Sequence, residues 1–468
     1  MRCISLLTAL ALAFPFTAWA GGTRTWEVSS QADFDKGETE GAAIEASGRV
    51  TVGFLPARGE LPGTTAFSCL ATKDGALVGT ADAATIQRIV AGKRNRADAK
   101  GKKAKKAEAA GEELPRLAVE QVAKLDGVVV SAMVALPGGD VIAATLPGGK
   151  LVRIDAKGKV TPFATLQVEQ IWGLLVHGNR LLVGTGPKGE LWSLSLAGKD
   201  PKVVLDVDEK DLLSLVAVGN EIVVGVAPQA KLYRVTKDLG GELLHDFSGD
   251  EVRALALTRT GLVAAVNTFA DRKLGSLDAL TKTLDRTSLV GQPPAGAMDG
   301  ERAIQADGSV YFVDLGPKRD LDRAIEATWE TWLERNKQYF SDVLALDDVG
   351  TVLVSSSEEG KIYRVRGPRD VATVADLEER QATALCRVPK GPVIAAAAHG
   401  AAVYELGAAP AKKARYVSDV LDTSQPASFG AVRLRGDGAM TLRARSGPTD
   451  EPDKRWTDWK TVALVRDD

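Results

Sequence analysis

The feature that most constrains this chain is a short apolar run that returns at nearly constant intervals. It reads TIQRI at Thr85–Ile89, KLVRI at Lys150–Ile154, ELWSL at Glu190–Leu194 and KLYRV at Lys231–Val235. It returns as SVYFV at Ser309–Val313, KIYRV at Lys361–Val365 and AVYEL at Ala402–Leu406. The leading residues Leu151, Leu191 and Leu232, and again Ile362 and Val403, stand 40 or 41 residues apart. The pattern around each is seen whole between Gly149 and Leu194. There an apolar run (Ile171–Val176) passes through a polar turn (His177–Asn179) into a second run (Arg180–Gly184). A glycine-bearing turn (Thr185–Gly189) leads to the third run, and a hairpin to a fourth. Runs of this length between such turns read as antiparallel strands.

One four-stranded unit cannot bury both faces of its sheet, whereas a ring of them can, and a period near 40 residues is that of a propeller blade. The chain is therefore expected to be all-β, with a β-propeller over residues 64–414. The first strand of each unit places a small residue before an apolar or sulfur-bearing one, as in Ser68-Cys69, Ala132-Met133, Gly173-Leu174, Ser214-Leu215, Ala254-Leu255 and Ala384-Leu385. That suits innermost strands crowding an axis. Two intervals exceed the period. Ile86 to Leu151 spans 65 residues, and the excess matches a basic insertion at 92–115, where other units have a tight hairpin between the third and fourth strands. Leu232 to Ile362 holds either one blade with an irregular insertion at about 268–306 or two blades. The first gives seven four-stranded blades and the second eight. Seven is favoured, because SVYFV at Ser309 fits the third-strand pattern better than KLGSL at Lys273. Asp320–Phe340 is the candidate helix, since Ile325, Trp329 and Trp332 share a helical face. An outer strand with a long connection is the alternative.

The first 20 residues carry Arg2, a mostly apolar run from Ile4 to Thr17, and Ala18-Trp19-Ala20. This order is that of a cleaved signal peptide (residues 1–20), and the run is too short for a membrane span. The expectation is an exported protein starting at Gly21, periplasmic or secreted, with no transmembrane span. Residues 21–63 and 415–468 are β segments outside the repeat. They form a small terminal β module, or one terminal strand completes the last blade. Cys69 and Cys386 hold similar places in the first and last repeats, which are neighbours in a closed ring. Two buried thiols are favoured, with a ring-closing disulfide as the alternative. A formal net charge of −2 gives no sign of nucleic acid binding.

The unit with its glycine-bearing turn and (L/I)-(Y/W)-x-(V/L) strand resembles exported bacterial β-propeller repeat proteins, a WD40-like group with degenerate repeats. The resemblance covers roughly residues 64–415, without the Gly-His and Trp-Asp signatures of true WD40 repeats. RARSG (Arg443–Gly447) and WTDW (Trp456–Trp459) look like the end segment of some exported bacterial propellers. The resemblance implies the fold. For the class, it implies binding to proteins, peptides or glycans, with enzymes a minority.

No G-x-S-x-G, H-E-x-x-H or Walker pattern is present. His177, His245 and His399 occupy different places in the repeat, so no metal site or other cofactor is expected. The residue before the small one in the first strand is expected at the funnel mouth: Phe67, Ser131, Trp172, Leu213, Arg253, Asp342 or Thr383. Glu358 and His399 would lie above them. The candidate ligand set is therefore Phe67, Trp172, Arg253, Asp342, Glu358 and His399, none of them catalytic. Arg253 and Asp342 pairing across the ring, and side chains turned into blade packing, are the blander alternatives. Lys93, Arg94, Arg96, Lys100, Lys102, Lys103, Lys105 and Lys106 make the basic insertion a candidate contact for an anionic surface. A solvated hairpin extension is the plainer alternative. It lacks interleaved aromatics, so nucleic acid is not expected. The functional expectation is a non-catalytic scaffold of the cell envelope that binds a protein or glycan partner on one propeller face. The alternatives are a propeller hydrolase or lyase acting on a glycan or lactone, and a carbohydrate-binding protein using Trp26, Trp456 and Trp459.

Overall fold

The computed structural model describes residues 25–54, 56–94, 116–236, 241–269, 306–346, 350–407, 411, 413–424 and 427–464. The chain enters through the one-turn helix α1 (Gln31–Phe34) and strands β1 (Glu38–Glu40), β2 (Ala42–Glu45), β3 (Val50–Val52) and β4 (Ala57–Glu60). Blade 1 holds β5 (Ala66–Ala71), β6 (Gly75–Thr80), β7 (Thr85–Arg94) and β8 (Leu117–Lys124). Blade 2 holds β9 (Val129–Ala135), β10 (Val141–Leu146), β11 (Lys150–Ile154) and β12 (Val160–Thr165). Blade 3 holds β13 (Gln170–His177), β14 (Arg180–Gly186), β15 (Glu190–Ser195) and β16 (Lys202–Asp206). Blade 4 holds β17 (Asp211–Val218), β18 (Glu221–Ala227), β19 (Lys231–Val235) and β20 (Gly241–Asp246). Blade 5 holds β21 (Glu251–Leu257), β22 (Gly261–Phe269), β23 (Ala306–Asp314) and, after the short helix α2 (Asp322–Glu326), β24 (Glu330–Arg335). Blade 6 holds β25 (Phe340–Ala345), β26 (Val352–Ser356), β27 (Lys361–Val365) and β28 (Val371–Asp376). Blade 7 takes β29 (Gln381–Arg387), β30 (Val393–Ala398) and β31 (Ala402–Leu406) from this end of the chain. The protein is an all-β, seven-bladed β-propeller of four-stranded blades.

The fourth strand of blade 7 is β4, which runs antiparallel to β31 with Gly59 opposite Val403. Of the two arrangements the sequence left open for its termini, a terminal strand does complete the last blade. Strands β2 and β3 widen blade 6 beside β28, and β1 pairs with β32 (Arg415–Val417). Among the described residues, strand β33 (Leu442–Ala444) pairs only with β34 (Lys460–Val462). The seam between blades 7 and 1 is also covalent. Cys69 on β5 and Cys386 on β29 form a disulfide with a Cα–Cα separation of 5.7 Å. The favoured expectation of two thiols gives way, because closure brings these strands side by side.

The second strand of every blade is enclosed on both sides, so β10 (VIAATL), β26 (VLVSS) and β30 (VIAAAA) are buried throughout and lack polar alternation. Fully burying one Val or Leu side chain is worth roughly 1.5–3 kcal/mol, and these strands concentrate that gain between neighbouring blades. The glycine-bearing turn has a steric cause. Gly189 has φ +70° and Gly360 φ +64°, and a Cβ on either would lie 2.1 Å from a carbonyl oxygen, of Glu209 or Glu379 respectively. Their N–H groups donate to Lys210 O at 2.7 Å and Arg380 O at 2.8 Å, which clamps each turn to the connection leaving for the next blade. The third-strand tyrosine holds such a connection from the other side, in the blade that it enters. Tyr233 donates to Glu209 Oε1 at 3.1 Å and Tyr363 to Gln338 Oε1 at 2.7 Å, while Tyr404 donates to Glu379.

Between 320 and 340 the structure departs from the helical expectation. Only Asp322–Glu326 is α-helical, and Glu330–Arg335 is the outer strand of blade 5. Trp329 donates its indole N–H to Ala324 O at 3.1 Å, whereas Trp332 stacks on Phe312 with ring centroids 4.2 Å apart. The two tryptophans serve different packing sites. The segment 1–20, most of 92–115 and most of 268–306 lie outside the described residues.

Candidate functional site

The first strands of all seven blades run the same way along the axis. Their starting ends share one face, here the mouth face, with the turns joining second to third strands and the connections between blades. The basic insertion is flanked by β7 and β8, which meet at the opposite face. The irregular insertion is flanked by β22 and β23, which meet at the mouth face.

Every first strand carries a β-bulge near its start. The pairing register skips Phe67, Ser131, Trp172, Leu213, Arg253, Ser341 and Thr383. A bulge leaves one residue outside the ladder and re-aims its side chain. Six of these are residues to which the repeat pointed. In blade 6 the skipped residue is Ser341, one before Asp342. Asp342 therefore takes the place held elsewhere by Ser68, Ala132, Gly173, Ser214, Ala254 and Ala384.

The mouth has two unlike arcs. On the side of blades 1 to 4, Phe67, Trp172 and Leu213 pack with Val129, Leu146 and Ala227. Trp172 is only 7 % exposed, and its indole N–H donates to Asp211 Oδ1 at 2.9 Å. Its ring is part of blade packing, while Phe67 remains half-buried. On the side of blades 5 to 7 the residues are polar. The Asn267 side-chain amide donates to Glu251 Oε1 at 2.9 Å and to Phe340 O of blade 6, and accepts from the Phe340 N–H. Glu251 is 2 % exposed and also interacts with the Tyr339 hydroxyl. Burial, reinforced by Glu251, holds the Tyr339 phenol well above its usual range, against the opposing pull of Arg253. Arg253 and Asp342 are half-buried, with protein packed densely around both. Loss of bulk water alone would lower the proton affinity of Arg253, but Tyr339, Glu251 and Asp342 outweigh it and raise it. Asp342 accepts N–H groups from Val343 and from Leu385 of the next blade, each at 2.8 Å. Burial pushes its carboxyl up to about 6, although those two bonds and Arg253 favour the ionised form.

Arg253 and Asp342 are thus brought together with Glu251 and Tyr339. Glu358 lies instead in the blade 6 turn, with a carboxylate oxygen 3.8 Å from the Arg380 guanidinium. His399 is exposed in the blade 7 turn, where its backbone N–H donates to Thr64 O at 3.1 Å. Lys93 is exposed at the end of β7, and Arg94 closes that strand opposite Leu117. Arg96, Lys100, Lys102, Lys103, Lys105 and Lys106 lie outside the described residues. The sequence pattern missed Glu251 and Tyr339. Their signal was a polar residue two places before the bulge, present as Gln170, Asp211, Glu251, Tyr339 and Gln381. Among the described residues, no group of three or more His, Cys, Asp or Glu is placed to hold a metal, and no helix is long and apolar enough to cross a membrane.

No family model and no curated protein sequence matches the chain. Solved structures do. The WD40 β-propeller domain of Doa1 aligns with TM-score 0.49 and 11 % identity, over 76 % of this chain and 97 % of that one. The β-propeller domain of Cps50 (Swd1) from Myceliophteria thermophila gives 0.48 and 11 %, over 75 % and 100 %. YCF48 bound to D1 peptide gives 0.47 and 10 %, over 76 % and 97 %. At these identities the likeness concerns the fold.

Proposed function

We propose that this protein is a non-catalytic, protein-binding scaffold that receives its partner on the mouth face and works in the cell envelope after export. The observation that carries the proposal is the mouth itself. A rigid ring, closed by β4 and the Cys69–Cys386 disulfide, holds one apolar arc and one polar arc of buried and half-buried side chains. A preorganised surface of this kind binds without first losing loop entropy. The export part is supported by the order of charge, apolar run and Ala-x-Ala in the first 20 residues, and by a disulfide, which suits an oxidising compartment. The basic insertion would add attraction to an anionic surface, and its flanking strands meet on the face away from the mouth, so the two contacts do not compete.

The test is a pull-down from envelope extract with protein starting at Gly21. Wild type, a form lacking residues 92–115, and a form with Ser341 and Thr383 both changed to Lys are compared. A partner retained without the insertion and lost with the lysine pair is expected. A partner retained by the lysine pair would move the contact off the mouth, and no partner in any form would refute the scaffold.

A further inference from the structure

Six of the seven bulge residues around the mouth are neutral: Phe67, Ser131, Trp172, Leu213, Ser341 and Thr383. The seventh is Arg253. Its side chain is half-buried, and among the described residues it makes no hydrogen bond and no ion pair within 4.0 Å. A guanidinium presents five N–H donors in a planar fork that matches a two-oxygen anion. Held in place by a bulge, with no hydrogen bond to that fork among the described residues, it is set to receive one. We propose that Arg253 anchors a single carboxylate of the bound partner, the C-terminal carboxylate of a peptide chain, inside the channel mouth. This rests on the scaffold function above and names the group that function recognises.

The surrounding charge selects the anion. Glu251 and Asp342 both act on Arg253, so the fork already lies in the field of two carboxyl groups. The described turns and inter-blade connections on this face hold ten acidic residues and four basic ones. Glu169 and Asp208 are among the exposed acids. A phosphate or a sulfated glycan brings two or more charges into that field with one cation to offset them. One carboxylate on a neutral or basic segment keeps the ion pair and avoids most of the repulsion. The recessed position favours a chain end over an internal side chain. Arg253 stands on an innermost strand, and a terminus reaches such a site without carrying backbone across the mouth on both sides.

The test uses the protein from Gly21 and three probes at constant ionic strength, read by saturation-transfer NMR: N-acetylglycine, its neutral analogue N-acetylglycinamide, and inorganic phosphate. Saturable binding of N-acetylglycine, at least tenfold weaker binding of the amide, and at least tenfold loss in Arg253→Gln are expected. Arg253→Lys, which keeps the charge without the fork, should fall between. Phosphate at equal concentration should not displace N-acetylglycine. A melting temperature for Arg253→Gln within 2 °C of wild type keeps the comparison free of unfolding; if it melts lower, Arg253→Lys alone decides. Equal binding of acid and amide, unchanged binding by Arg253→Gln, or displacement by phosphate would overturn the proposal. The pull-down separates the two levels. A partner captured equally by wild type and Arg253→Gln leaves the scaffold standing and removes the carboxylate anchor. N-acetylglycine binding with no captured partner does the reverse.

Discussion

Replacing both Cys69 and Cys386 by Ser cuts the covalent part of the seam and leaves the β31–β4 pairing in place. The two residues are 317 apart, so the bond closes a very long loop in the unfolded chain. The chain-entropy relation for a loop of that size gives about 6 kcal/mol at 25 °C, and native disulfides usually realise about 2–5. Unfolding entropy near 2.1 cal/mol/K per residue gives about 0.8 kcal/mol/K for the roughly 370 described residues, so a loss of about 4 kcal/mol lowers the melting temperature by about 5 °C. Calorimetry on oxidised wild type, reduced wild type and the double Ser variant measures this directly. The last two should melt together, below the first. A shift under 1 °C, or two free thiols titrated in unreduced protein, would refute the reasoning.

Other outcomes follow from the clamps and buried acids. Gly360→Ala places a Cβ 2.1 Å from Glu379 O at φ +64° and should cost about 1–3 kcal/mol by urea denaturation, whereas Gly350→Ala, strained by φ +91° but with nothing within 4 Å, lacks that clash and should cost less. Arg58 Nη2 holds the buried Glu379 carboxylate at 2.6 Å, so Arg58→Ala should destabilise by about 3 kcal/mol, and adding Glu379→Gln should restore part of it. Burial raises the carboxyls of Asp342 and Asp376 to about 6, from 3.8. The unfolded chain releases these protons first as pH rises, so their contribution is complete below about pH 4 and lost by about pH 6, at up to about 3 kcal/mol each. Asp376→Asn should remove its share of that decline in a pH series of urea midpoints; an unchanged slope would contradict the burial.

The ring was legible because a third strand such as KLYRV or KIYRV is under two constraints at once. Its apolar residues fill the space between blades, and its tyrosine clamps the incoming connection. The stretch from Asp320 to Phe340 misled because the spacing of Ile325, Trp329 and Trp332 suits one helical face, whereas a short helix and a strand share it here. Strands β1 to β4 are too short for alternation to mark, and their places come from distant partners such as β28 and β31. At the mouth, the repeat singled out six of the residues that sit at bulges, because a small residue follows each. Blade 6 broke the pattern by placing Asp342 at the small-residue position, and reading one place late hid Ser341. Glu251 and Tyr339 escaped because strand starts look like turn residues when partners are unknown.

Closure by β4 also sets an order in time. The strand that ends at Glu60 leaves the ribosome hundreds of residues ahead of Ala402–Leu406, the only edge it can join in blade 7. Until then blades can form in sequence, but the first has no neighbour on one side and the last has no outer strand. Completion is thus reported from both ends of the message. A chain cut short before Ala402 exposes the edge of β4, and one clipped after Glu60 exposes the edge of β31. Either fault leaves an unpaired strand edge, a template for pairing with another chain, at the same blade.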